Sequence, residues 1–200
     1  MEKLKHNGYK IILIGGSAGS FQVTGNILSK LPLNFSIPIV LVLHRLKHVR
    51  HGFVEALLQK SKLPVIEPLD KETIKQGKVY LAPANYHLYI EINGRFALST
   101  EEAVNHSRPA IDLTFATGSY CYQHKTIGII LSGANKDGAT GLKKVKDRGG
   151  LTIVQNPSEA QIPVMPLAAI EKSQNVDHIL SSEEITEMLL LLHKKASGKK

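Results

Sequence analysis

An α/β fold is what this 200-residue chain predicts: a doubly wound, mostly parallel sheet with helices on both faces and an inserted antiparallel β-hairpin. Three observations lead there. Short apolar runs alternate with stretches of helical periodicity almost from end to end. The second of these runs, "IPIVLVLH", is continuously apolar, as strands covered on both faces tend to be. One segment alone, around Asn93-Gly94, replaces that rhythm with alternating residues about a hairpin signal.

The elements follow in order. "KIILIG" reads as a first buried strand, and 20–31 as a helix burying Phe21, Ile27, Leu28 and Leu31. "IPIVLVLH", residues 37–44, is a second strand, followed by "GFVEALLQKS" as a helix and "LPVIEPL" as a short strand. The antiparallel excursion is expected over about 78–99, with a type I′ turn at Asn93-Gly94. A helix then covers "RPAIDLTFATGSYCYQ", with Ser107 as its cap and Pro109 in its first turn. "TIGIILS", residues 126–132, is a strand, and the helix after it is stopped by Gly149-Gly150. "LTIVQ" is a strand, "MPLAAIEKS" a helix and "DHIL" a last short strand. The final helix, about 182–195, opens on a capping box formed by Ser181-Ser182-Glu183-Glu184. A single domain over 1–200 is expected, its core at about 10–180, with no repeats or linkers.

Composition narrows the class. The chain is 42% hydrophobic and 21% charged, the balance of an ordinary globular protein. Cys121 is the sole cysteine, which excludes an internal disulfide and suits a reducing compartment. No apolar run approaches the ~20 residues of a membrane span. The four-residue apolar run of the N-terminus is too short for a signal peptide. A cytoplasmic protein, not inserted in a membrane, is expected. The net charge of +8 favours acidic partners. The absence of Trp and the low aromatic content, 6%, argue against nucleic acid.

In parallel sheets ligands bind outside the carboxyl ends of the strands. Three polar groups stand there: Ser17 after the first strand, His44 at the end of the second and Asp137 after "TIGIILS". Serine, histidine and carboxylate are the parts of a nucleophilic triad, in which the base activates a weak hydroxyl nucleophile. Each also has a plainer reading. Ser17 fits a turn residue or helix cap, His44 a core histidine, and Asp137 the cap of the helix "GATGLKKVKD".

"GGSAGS" is not a P-loop, because no lysine follows Gly19. A dinucleotide fingerprint requires G-x-G-x-x-G and an acidic residue ending the second strand. Here that strand ends in His44-Arg45, which leaves an NADP-type pocket as a weaker alternative. Gly15-Gly16-Ser17-Ala18-Gly19 matches the G-x-S-x-G of esterases, yet the order Ser, His, Asp differs from theirs.

Six ordered segments carry a resemblance: "GGSAGS", "LPLNFSIPIVLVLH", "QGKVYLAPANYHL", "RPAIDLTF", "GIILSGANKDGATGL" and "GGLTIVQNPSEAQIPVMPLAAIE". Over about residues 10–180 the chain resembles the catalytic domain of the bacterial chemotaxis protein-glutamate methylesterases, the CheB-type enzymes. The resemblance implies a triad of Ser17, His44 and Asp137. It implies hydrolysis of glutamate methyl esters on the cytoplasmic helices of chemoreceptors, and deamidation of glutamines there. The family's usual N-terminal phospho-receiver domain is not matched, so phosphorylation control in cis is not expected. Four positions depart from the family pattern: Ser20 for the second glycine of S-x-G-G, Ala134 and Asn135 in the loop usually written T-G-M-G-x-D-G, and Val164 for a glycine. A catalytically weak or dead interaction module with this fold is the competing function.

The reading for the reaction is acyl transfer to water. The backbone N–H of Ala18 is the expected oxyanion donor at a helix start, with a second from the Ala134 loop. No metal or organic cofactor is expected. "HRLKHVRH" places Arg45, Lys47 and Arg50 as a docking patch for an acidic receptor surface, and the resemblance implies Arg108 as a boundary of the substrate cleft. His44, His48 and His51 share a helical spacing, but the neighbouring cations disfavour zinc.

Overall fold

β1 (Ile11–Gly16) is the pivot of a seven-stranded sheet. In this computed structural model, residues 8–45 and 52–197 are described. β1 leads through α1 (Ser20–Lys30) to β2 (Ile39–Leu43) on one side. α2 (Phe53–Leu58), β3 (Val65–Ile66) and β4 (Val79–Leu81) complete that half. A separate antiparallel pair, β5 (His87–Ile90) and β6 (Phe96–Ser99), intervenes. The chain then returns through α3 (Ile111–Tyr122) to β7 (Thr126–Ile130), on the other side of β1. α4 (Ala139–Asp147), β8 (Leu151–Gln155), α5 (Val164–Ser173), β9 (His178–Leu180) and α6 (Ser182–Ser197) follow. The order is β3-β4-β2-β1-β7-β8-β9, with every pairing parallel. The winding reverses between β1 and β7, and that crevice is where such sheets bind ligands.

Every residue of β1, β2, β7 and β8 is buried, which accounts for their largely apolar sequence; the buried polar exceptions are Thr126, Thr152 and Gln155. Successive side chains point to opposite faces. Ile12 and Ile14 join a core with Ile27 and Leu28 of α1 and Ile185 and Leu189 of α6. Ile11 and Leu13 join the opposite core with Ile111 and Phe115 of α3, Leu142 of α4 and Met165 of α5. Burying each such side chain contributes about 1.5–3 kcal/mol. Gly128 lets α4 close on β7: a Cβ there would meet Leu142 at 3.0 Å and Val145 at 3.2 Å.

Three local expectations change. The run at 79–81 is not part of the antiparallel excursion. It is β4, a parallel strand between β2 and β3, because its fully buried "VYL" has the apolar continuity the main sheet requires. The hairpin turn is not type I′, which needs positive φ at both central residues. Of Asn93 and Gly94 only the glycine has it, at 74°. The Gly94 N–H donates to the Glu91 carbonyl at 2.9 Å and Asn93 Oδ1 accepts from the Arg95 N–H at 3.0 Å, giving a turn with a glycine bulge. Ser107 does not cap α3 and Pro109 is not in its first turn, because the helix starts at Ile111 with Ala110 as its N-cap residue. At α6 the capping box forms in full: the Ser181 N–H donates to Glu184 at 2.8 Å, and the Glu184 N–H to Ser181 Oγ at 3.2 Å.

Candidate active site

Ser17 leaves β1 on a turn whose shape is dictated by close approach. Gly19 has φ +82°, and a Cβ there would lie 2.7 Å from Gln161 and from Ser132 Oγ. Only glycine fits without displacing both. The turn is pinned to the β7 side by the Ser17 N–H, which donates to the Ser132 carbonyl at 2.9 Å. Ser132 Oγ in turn donates to the Ala18 carbonyl at 2.8 Å. Among the described residues, the N–H of Ala18 meets no acceptor. It stands just before α1, where backbone N–H groups and the helix dipole favour negative charge.

His44 follows β2, its backbone N–H held by the Gly16 carbonyl at 3.0 Å. The adjacent pairing of β1 and β2 therefore brings His44 and the serine turn to one edge. His44 Nε2 lies 2.8 Å from Asp137 Oδ2. The carboxylate acceptor requires Nε2 to carry the proton, which leaves the lone pair on Nδ1 as the basic site. Nδ1 faces Ser107 Oγ and Asn135 Nδ2, each at 3.4 Å. Ser17, Ala18, His44, Arg45, Phe53, Ser107 and Asn135 line one cavity of about 500 Å³. Among the described residues no hydrogen bond joins Ser17 Oγ to His44; catalytic contacts of this kind commonly tighten only when substrate is bound.

Asp137 is fully buried and is a helix cap, but not of the helix that follows it. α4 has Gly138 as its N-cap residue and no side-chain cap from Asp137. Instead Asp137 Oδ2 accepts the N–H of Ile111 at 2.7 Å and Oδ1 that of Asp112 at 3.1 Å, the first two of α3. Asp112 returns the arrangement: its Oδ1 accepts the N–H groups of Gly138 at 3.0 Å and Gly141 at 2.6 Å, at the start of α4. Asn105 Nδ2 joins the two, donating to Asp112 Oδ2 at 3.1 Å and Asp137 Oδ1 at 3.3 Å. Burial alone pushes the Asp137 carboxyl upward. The bond from His44, the Ile111 N–H, the charge of His44 and the Asp112 N–H outweigh it and hold the group below its ordinary value. For Asp112, burial prevails over the N–H groups of Gly141 and Gly138. With the neighbouring Asp137 charge it raises the carboxyl above its ordinary value.

The expected docking residues divide. The Arg45 side chain is buried: its guanidinium pairs with Glu67, donates to the Ala82 carbonyl at 3.0 Å and covers the Phe53 ring at 5.4 Å. Its charge is neutralised inside the protein rather than offered to a partner or a ribose phosphate. Lys47 and Arg50, like His48 and His51, lie outside the described residues. Arg108 Nη1 donates to the carbonyls of Thr100 at 2.6 Å and Glu101 at 2.8 Å. It also borders a groove of about 820 Å³ shared with Glu55, Glu67, Pro83 and Tyr86. His87 is buried, with Nδ1 accepting from the Ala110 N–H at 3.3 Å and Nε2 bonded to the Glu102 carbonyl at 2.9 Å. It braces the loop entering α3.

A family model for the CheB methylesterase matches residues 12–189. The chain belongs to the CheB methylesterase family. The catalytic domain of the Thermotoga maritima CheB methylesterase superimposes with a TM-score of 0.87 at 36% identity, covering 94% of this chain and all of that one. A Leptospira interrogans relative is 47% identical over 184 residues, 92% of this chain and 95% of that protein. The Thermotoga maritima protein-glutamate methylesterase/protein-glutamine glutaminase is 37% identical over 190 residues. The chain spans 54% of that relative's length and 54% of the corresponding Clostridium acetobutylicum enzyme. A Ser-His-Asp triad is a general feature of the family.

The departures from the family pattern are accommodated individually. Ser20 is buried and donates to the Ser17 carbonyl at 2.6 Å, tightening the turn that carries Ser17. Val164 is exposed at the start of α5. Ala134 is exposed and is not among the cavity residues. Asn135 is the departure that reaches the site. Ser107, Asn105 and Asp112 were legible as residues but not as neighbours of His44 and Asp137, because their contacts with these two span between 25 and 63 positions of sequence.

Proposed function

We propose that this chain is a serine hydrolase that removes methyl esters from glutamate side chains of chemoreceptors and deamidates glutamines there, in the adaptation of chemotaxis signalling. The observation that carries the reading is the His44–Asp137 bond of 2.8 Å, at the edge of the cavity that Ser17 lines and at the reversal point of the sheet. The names of the relatives supply the substrate class.

In this reading Ser17 Oγ attacks the ester carbonyl as His44 Nδ1 takes its proton. Asp137 stabilises the imidazolium through Nε2–H, and its own ionisation is secured by the amino end of α3. The Ala18 N–H faces the oxyanion, with the Ala134 loop as the candidate second donor. The C–O bond to the methoxy group breaks as that oxygen takes the proton from Nδ1, and methanol leaves. Water then repeats the sequence on the acyl-enzyme, restoring Ser17 and releasing glutamate. The steps call on no metal or organic cofactor. Arg108 borders the groove in which a receptor helix would lie beside the site.

The test is methanol release from a methylated receptor fragment. Ser17→Ala should abolish it while the protein still melts cooperatively, since the turn is held by backbone bonds and Ser20. Wild-type turnover in the alanine variant would overturn the assignment.

A further inference from the structure

Asn135 faces the basic nitrogen of His44 with a donor group whose direction is fixed. Its Oδ1 accepts the Asp137 N–H at 3.1 Å. The amide is therefore oriented with its NH₂ toward His44 Nδ1 and Ser107 Oγ, both at 3.4 Å. Asn135 also lines the cavity beside Ser17 and Ala18. A neutral imidazole has one lone pair, in the ring plane, at its unprotonated nitrogen. Nδ1 must pass its proton to the departing atom of the substrate, which has to come within about 2.6–3.2 Å of it. Whatever enters that space stands beside Asn135 Nδ2.

We propose that the Asn135 carboxamide is a specificity-determining group that biases this site toward ester and against amide substrates. The inference rests on the hydrolase reading above and adds a preference to it. A methyl ester presents an oxygen whose lone pairs accept the second N–H of Asn135. A glutamine presents an NH₂ whose hydrogens face those of Asn135, donor against donor. In both reactions the bond from Ser17 Oγ to the carbonyl carbon forms first. The C–O or C–N bond then breaks, and the leaving atom takes the proton from Nδ1 to depart as methanol or ammonia. The two substrates differ only at the atom that meets Asn135. A site that mismatches one polar group of a substrate discriminates against it strongly.

The experiment compares kcat/KM for methanol release from a methylated receptor fragment with that for ammonia release from the same fragment carrying glutamines. The ester-to-amide ratio should fall several-fold, up to about tenfold, in Asn135→Ala, the scale of one hydrogen bond. Asn135→Asp keeps the acceptor for the Asp137 N–H but presents oxygen in place of NH₂, and should lower the ratio further. A wild-type ratio in Asn135→Ala, or restoration of that ratio by Asn135→Asp, would overturn the inference and leave Asn135 as a support for the Asp137 loop. Should the alanine variant lose both activities, the ratio in Asn135→Asp decides. Absence of both activities from the wild type would instead overturn the hydrolase reading, and the inference with it.

Discussion

Two aspartates at the starts of α3 and α4 do the same mechanical work, yet only one of them meets the imidazole of His44. Asp137, ahead of α4, caps α3; Asp112, in the first turn of α3, caps α4. Asp137 also receives His44 and is pulled down in pKa, whereas Asp112, which meets no histidine among the described residues, is pushed up by burial and by the Asp137 charge. The lesson is that the proposed triad acid is embedded in a structural exchange between two helices. Its orientation is set by α3 before histidine is considered.

The largest effect that follows is on Asp137→Asn. A simple helix cap tolerates asparagine. Here, however, both carboxylate oxygens accept buried donors, so either amide orientation sets an NH₂ against one of them. An unsatisfied buried donor costs about 1–3 kcal/mol. At about 2–4 °C per kcal/mol, Asp137→Asn should melt several degrees below wild type. It should also lose at least ~10²-fold in kcat, because asparagine cannot balance the imidazolium. Calorimetry and ester turnover on one preparation check both. An asparagine variant with unchanged melting would return Asp137 to the plain cap that local sequence allows.

Asp112→Asn should be milder. The two N–H groups it receives from α4 reach a single oxygen, Oδ1, which an asparagine can reproduce. A loss of activity below tenfold is expected, and one matching Asp137→Asn would erase the distinction between the two loops. Acid titration separates them by sign. Asp137, lowered, supplies stability that is complete above its ordinary value of 3.8 and is lost as pH falls through its folded value. Asp112, raised, takes its proton first in the folded protein, so acidification through its folded value adds stability down to 3.8. The loss of stability between pH 7 and about pH 3 should thus be larger than wild type in Asp112→Asn and smaller in Asp137→Asn. Thermal unfolding across that range measures it. The smallest effect should be that of Asn105→Ala, an exposed residue bonded to both carboxylates at 3.1 and 3.3 Å. A change in melting of one or two degrees is expected, roughly the value of one net hydrogen bond.

The strand–helix alternation was legible because strands covered on both faces are largely apolar, and the three triad candidates because each stands at or just beyond the carboxyl end of such a strand. What escaped depends on long-range geometry. Nothing local distinguishes Asp137 as a cap of α4 from Asp137 as a cap of α3. Arg45 looks like surface charge until Glu67 and Ala82 close over it. Three residues at 79–81 are too few to reveal whether they pair with a hairpin or with β2. Ser107 carries the signature of a helix cap, yet its hydroxyl is turned toward His44.

That last contact makes one measurement especially direct. Two serines flank the imidazole: Ser17 in the shared cavity and Ser107, whose Oγ lies 3.4 Å from Nδ1. Mass-spectrometric mapping of the adduct left by a fluorophosphonate asks which one His44 activates. The account predicts modification at Ser17 alone, lost when His44 is replaced by alanine. An adduct on Ser107, or labelling of Ser17 that persists without His44, would contradict it.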